Sequence, residues 1–72
     1  MQTWGEALSN FIEFHLIYKT NKDYKVIHNK TDYCFYIYLD GEVVGKFSEH
    51  FILTYYCRFY KAINIICSEN KL

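Results

Sequence analysis

Trp4, Leu8, Phe11, His15 and Tyr18 recur every three or four residues, with Ala7, Ile12 and Phe14 beside them, and this period predicts an amphipathic helix from about Trp4 to Tyr18. Thr3 followed by Glu6 has capping-box spacing, in which a hydroxyl and a carboxylate satisfy the free N–H groups of a helix start. Thr20-Asn21-Lys22-Asp23 is polar and reads as a loop. The period then changes. Tyr24-Lys25-Val26-Ile27-His28 is short and rich in strand formers, and Asn29-Lys30-Thr31-Asp32 behind it supplies turn chemistry. Two further strands, from about Tyr33 to Leu39 and from Glu42 to Phe47, flank Asp40-Gly41, a pair suited to a two-residue hairpin turn.

With such a turn, Leu39 faces Glu42, Ile37 faces Val44 and Phe35 faces Lys46 on one side of the sheet, while Tyr38/Val43, Tyr36/Gly45 and Cys34/Phe47 lie on the other. A longer turn with a bulge would change this pairing. Both strips are apolar, so one covers the core and the other is left for water or a partner. Tyr36, Tyr38, Val43 and Phe47 form the candidate partner-binding strip. The alternative makes them ordinary core and exposes Phe35, Ile37, Leu39 and Val44 instead.

From Ser48 to Asn70 propensity and pattern disagree. Phe51-Ile52-Leu53-Thr54-Tyr55-Tyr56 favours strand, but His50, Thr54, Arg58, Lys61 and Ser68 trace one polar stripe along a helix. Ser48 suits the N-cap and Glu49 the first turn. This helix is apolar around well over half its circumference, more than packing on one sheet requires. A second reading ends it near Lys61 and makes Ala62-Ile63-Asn64-Ile65-Ile66 a fourth strand. The expected fold is α+β of order αβββα, a three-stranded antiparallel sheet packed against two helices, in a single domain over residues 1–72.

A chain of 72 residues buries only about 60% of the surface its unfolded form exposes, and chains of this size often add disulfides, a metal or a partner subunit. Cys34, Cys57 and Cys67 are odd in number and hold no C-x-x-C pair. Neither they nor His15, His28 and His50 give a pair at the close spacing of a structural zinc site, so no metal or other cofactor is expected. No G-x-S-x-G elbow, phosphate-binding glycine loop or H-E-x-x-H is present, and the chain does not read as an enzyme. Met1-Gln2-Thr3-Trp4-Gly5-Glu6 lacks the basic and apolar regions of a signal peptide, which points to the cytoplasm. The apolar run from Phe51 to Cys67 is broken by Arg58 and Lys61 short of the roughly 20 residues a membrane crossing needs, so no membrane partner is expected.

Eight basic and eight acidic residues cancel, leaving no overall field toward nucleic acid. One local patch remains: Lys19, Lys22, Lys25 and Lys30, interleaved with Tyr18, Tyr24 and His28, suit phosphate contacts and base stacking. The plainer account is a solvated loop and an edge strand whose lysines discourage strand addition. Aromatic residues make up 21% of the chain, which exceeds what so small an interior holds, and exposed Tyr and Phe are the usual makeup of protein-binding patches.

Tyr36-Ile37-Tyr38-Leu39-Asp40-Gly41-Glu42-Val43-Val44-Gly45 resembles the second and third strands of the double-stranded RNA-binding domain, whose αβββα order is also the one read here. That resemblance implies duplex RNA binding; the family's Lys-Lys-x-Ala-Lys signature falls in this chain on Glu49-His50-Phe51-Ile52-Leu53. Asn21-Lys22-Asp23-Tyr24-Lys25-Val26 is similar to the run entering the first strand of a small phage-encoded anti-CRISPR inhibitor, which implies binding and blocking a host nuclease. The expected function is a small non-enzymatic protein-interaction module whose partner is a host protein or a second copy of the chain in a homodimer, a phage or mobile-element inhibitor being its most concrete form. The alternative is a nucleic-acid binder that uses the four lysines.

Overall fold

The computed structural model describes residues 3–72. Met1 and Gln2, part of the segment read for a leader, lie outside the described residues. Helix α1 spans Trp4–Thr20, strands β1 Lys25–Asn29, β2 Cys34–Leu39 and β3 Glu42–Ser48 follow, and helices α2 Glu49–Thr54 and α3 Phe59–Asn70 complete the chain. The strands form one antiparallel sheet in the order β1-β2-β3. The helices cover one face of it, so the architecture is α+β of order αβββα with the last helix in two pieces. Among the described residues no helix is long and apolar enough to cross a membrane.

Local chemistry places each boundary. The Thr3 hydroxyl accepts from Glu6 N–H at 3.2 Å and starts α1. Asn21, left-handed at φ 63°, closes it by donating its N–H to Ile17 O. In the β1–β2 turn, Asn29 Oδ1 accepts from the N–H groups of Thr31 and Asp32. Asp40 and Gly41 both have positive φ, at 53° and 83°, as a two-residue turn matched to strand twist requires.

The hairpin register departs from the simple pairing. Leu39 faces Glu42 and Tyr38 faces Val43 as expected, but a bulge then inserts Val44, and Ile37 pairs with Gly45, Tyr36 with Lys46, Phe35 with Phe47 and Cys34 with Ser48. Because side chains alternate with period two, one extra residue moves everything beyond it to the opposite face. Phe47 thereby joins Phe35 and Ile37 in the core, with its ring stacked on Phe35 at 5.0 Å, and Lys46 turns outward. Phe47 is therefore not part of an exposed strip; this corrects the grouping with Tyr36, Tyr38 and Val43.

The polar stripe of the C-terminal segment faces solvent throughout: His50, Thr54, Arg58, Lys61 and Ser68 are all exposed. The helix beneath it is not continuous, however, and breaks over residues 55–58. A straight helix over this segment would run roughly 33 Å at 1.5 Å per residue, whereas the molecule extends 26 Å along its longest axis. Breaking it lets α2 close the end of the sheet, with the Ser48 hydroxyl accepting from Phe51 N–H at 2.9 Å, while α3 turns back along α1 and β3. Ala62, Ile63, Ile66 and Cys67 of α3 are buried, and the fourth-strand reading of this stretch gives way to helix.

The core gathers Ile12 and Leu16 of α1, Tyr24 and Val26, Phe35 and Ile37, Phe47, Ile52 and the inner face of α3. Between α1 and the sheet lies His28, its side chain only 6% exposed, with Nε2 2.6 Å from Glu49 Oε2. The imidazole stacks on Phe35 at 4.6 Å and meets the Trp4 indole at 5.1 Å. It therefore ties β1 to the start of α2 beneath the first turn of α1.

Candidate protein-binding surface

Helix α1 carries two apolar stripes. Gly5, Ser9, Ile12 and Leu16 turn inward. On the opposite side Trp4, Ala7, Phe11, Phe14 and Tyr18 are all exposed, at the alternating three- and four-residue spacing of a coiled-coil seam. Of the residues whose recurrence announces the helix, Tyr18 thus faces solvent, while Trp4 and Phe11 are split, each leaving about half of its surface in water and packing the rest on His28 and Phe35 or on Phe59. Phe14 is 64% exposed and Tyr18 82%.

The break between α2 and α3 extends this face. Phe59 at the start of α3 packs edge-on against Phe11 at 4.8 Å, and Tyr60 meets His15 at 5.8 Å. Leu53, Tyr56 and Tyr60 are left open beside the α1 stripe. Three hollows mark the seam between the helices. One, of about 330 Å³, lies among Trp4, Leu8, Phe11, Leu53, Tyr56 and Phe59. The second, of about 190 Å³, lies between His15, Tyr18, Lys19 and Tyr60, Ile63, Asn64. The third, of about 250 Å³, opens among Phe14, His15, Tyr18 and Tyr60. A separate hollow of about 240 Å³ along β1 mixes Glu6, Ser9, Asn10, His28 and Lys30 with Val26 and Ile27.

Trp4, Phe11, Phe14, Tyr18, Leu53, Tyr56 and Tyr60 together leave roughly 850 Å² of surface in water, taking about 200 Å² for each when fully exposed. Backbone and hydroxyls are included in that sum, and the largest contiguous apolar patch of an ordinary monomer is about 300–600 Å². No Asp, Glu, Lys or Arg is among the seven.

The sheet's open face is the other apolar surface, and it carries what remains of the strip read from the sequence. Tyr36 and Tyr38 are half-buried there, Val43 opposite Tyr38 is exposed, and Ile27 of β1 pairs with Tyr36. Phe35, Ile37 and Leu39 line the covered side. Lys25 and Lys46 flank the tyrosines, so this face is flatter in hydrophobicity than the helical one.

Tyr36 is also committed locally. Its hydroxyl donates to Asp32 Oδ2 at 2.6 Å, and that hydrogen bond, ahead of burial and the negative charge of Asp32, raises the phenol above its ordinary pKa. A group raised in the folded state favours folding while it keeps its proton. The contribution is complete below the pH where an unfolded chain's phenol ionises and is lost as pH climbs through the folded value. In an alkaline titration of phenolate absorbance, Asp32→Asn is expected to move one ionisation to lower pH; superimposable curves would contradict this assignment.

Both edges of the sheet are occupied by helix side chains. Glu13 Oε1 accepts from Val26 N–H at 2.9 Å on the β1 edge. On the β3 edge the Asn70 amide accepts from Lys46 N–H and donates to Lys46 O, each at 3.3 Å, as a neighbouring strand would. Each contact occupies one residue of its edge and locally discourages strand addition there.

The four lysines do not form one cluster. Lys19, Lys22 and Lys25 follow each other around the α1–β1 corner, with Asp23 among them, whereas Lys30 lies beyond the far end of β1, roughly 17 Å along the strand from Lys25 at about 3.3 Å per residue. Among the described residues no group of three or more His, Cys, Asp or Glu could hold a metal ion. The thiols are scattered: Cys57 is exposed, Cys34 half-buried and Cys67 buried, where burial raises its pKa against the lowering effect of Lys19. Compared with protein-family models, curated proteins and solved structures, the chain matches none.

Proposed function

We propose that this chain is a non-enzymatic binding module that recognises a protein through the aromatic face of α1 and the α2–α3 corner. The observation that carries the reading is the roughly 850 Å² of uncharged, mostly aromatic surface left in water, about what one partner contributes to a standard protein–protein interface. Rings of this kind supply large contact area while ordering few rotatable bonds. The hollows along the seam have room for side chains of an incoming helix, the mode in which an apolar helical stripe lies in a groove. The sheet's open face is second in rank, because its tyrosines are half-buried and Tyr36 is held by Asp32.

The test compares immobilised wild type with Phe14→Glu, each offered a cell lysate supplemented with untagged copies of the chain. Phe14 contributes little to the core, so the variant is expected to keep the wild-type circular dichroism spectrum and melting temperature. Wild type is expected to retain a protein, cellular or its own kind, that Phe14→Glu loses. The same retained set from both would overturn the reading, as would a wild type that retains nothing.

A further inference from the structure

We infer that the occupant of the helical face is a second copy of the chain, docked antiparallel along α1 about a two-fold axis near Phe11. The inference rests on the reading of this face as a protein-binding surface and names its partner. A two-fold contact places the same patch on both subunits, so the patch must complement itself.

The α1 stripe does. Trp4, Ala7, Phe11, Phe14 and Tyr18 hold the spacing of a helix-pairing seam over four turns, and none of them carries a charge that would meet its own like across the axis. With Phe11 at the centre and 1.5 Å of rise per residue, Trp4 lies level with the second copy's Tyr18, and the small Ala7 lies close to the level of its Phe14. Small against large fills the gap between two helix axes. Antiparallel docking also sets the α1 N-terminus beside the second copy's C-terminus, the favourable arrangement of two helix dipoles.

Size points the same way. The four α1 rings with the flanking Leu53, Tyr56 and Tyr60 expose up to about 850 Å² per subunit for burial, against the roughly 800 Å² that each partner gives to a standard interface. A core of this length is among those that gain most from a partner subunit. The resulting dimer has its helices in the middle and its two sheets outside, so Tyr36, Tyr38 and Val43 stay accessible on both copies.

Sedimentation equilibrium on the full chain at about 100 µM tests this, since a Kd tighter than roughly 10 µM leaves most chains paired there. The expected mass is twice 8.7 kDa. Phe14→Glu and, independently, Tyr18→Glu are expected to sediment at 8.7 kDa with unchanged circular dichroism. Ile27→Thr, on the open face of the sheet, is expected to remain dimeric. A wild type that stays at 8.7 kDa overturns the inference, and so does a dimer that neither stripe substitution disturbs. If a monomeric wild type nevertheless retains a cellular protein that Phe14→Glu loses, the self-partner fails while the binding reading stands.

Discussion

Phe35→Ala is expected to leave no more than about half of the chains folded at 25 °C. Phe35 sits in the middle strand with none of its surface exposed. Its ring lies between the His28 imidazole at 4.6 Å and the Phe47 ring at 5.0 Å, with the Trp4 indole edge-on at 6.2 Å. Removing it takes away the apolar transfer term and leaves a cavity whose walls are three rings fixed on three different elements. Such walls cannot collapse far, which places the cost at the usual about 3–5 kcal/mol for a buried Phe→Ala change. A core of this size supplies only roughly 3–5 kcal/mol in all, so the two quantities nearly cancel. Urea titration followed by circular dichroism checks this. Phe35→Leu, which keeps most of the volume, is expected to unfold cooperatively at a lower midpoint, with a loss under about 1.5 kcal/mol. A Phe35→Ala chain that unfolds cooperatively near the wild-type midpoint would show that the stack contributes little.

The first helix and the three strands are legible in the sequence because each carries an unmixed period and recognisable punctuation. Thr3, Asn21, Asn29 and Asp40-Gly41 all do in the structure what their residue types allow. Two features escape because their causes are not local. The bulge at Val44 has only Gly45 beside it as a local mark, and a glycine does not fix which pairing results; what selects this one is that Phe47 and Phe35 both gain burial on one face, a cross-strand effect. The break at residues 55–58 is equally unmarked. It lets α2 pack on the end of β3 while α3 packs on α1 and β3, a tertiary arrangement that no window of sequence contains.

The candidate surface was legible in kind and only partly in place. An excess of rings over what the interior can hold follows from composition, and the over-apolar C-terminal segment signals surplus apolar surface without naming Tyr56 or Tyr60, which are exposed in the structure. The hairpin strip held three of its four members on the open face, and the bulge removed Phe47. The α1 stripe was hidden by its own regularity. Period 3.6 describes two apolar stripes on one helix as readily as one, and only the choice of residue types separates them. The inward stripe at Gly5, Ser9, Ile12 and Leu16 is small or aliphatic, whereas the outward one is aromatic at four of five positions.

Gly5→Ala is expected to invert the usual sign of a helix substitution. Within a helix, glycine to alanine ordinarily stabilises by about 1 kcal/mol. At Gly5 the added methyl would lie 2.5 Å from Cε1 and 2.7 Å from Cγ of His28, and closer still to Nδ1. The imidazole cannot give way cheaply, because Glu49 holds Nε2 at 2.6 Å and Phe35 and Trp4 press on its faces. Either the ring leaves Glu49 or the first turn of α1 lifts from the sheet, and overpacking of this kind costs about 1–3 kcal/mol. Thermal or urea unfolding should therefore show Gly5→Ala to be less stable than wild type. In a His28→Ala background the obstruction is gone and the same substitution should stabilise, giving a coupling of at least about 1 kcal/mol across the double-mutant cycle. Equal effects in the two backgrounds would mean that the imidazole yields freely, and that its bond to Glu49 does not hold the N-terminal turn of α1 against the sheet.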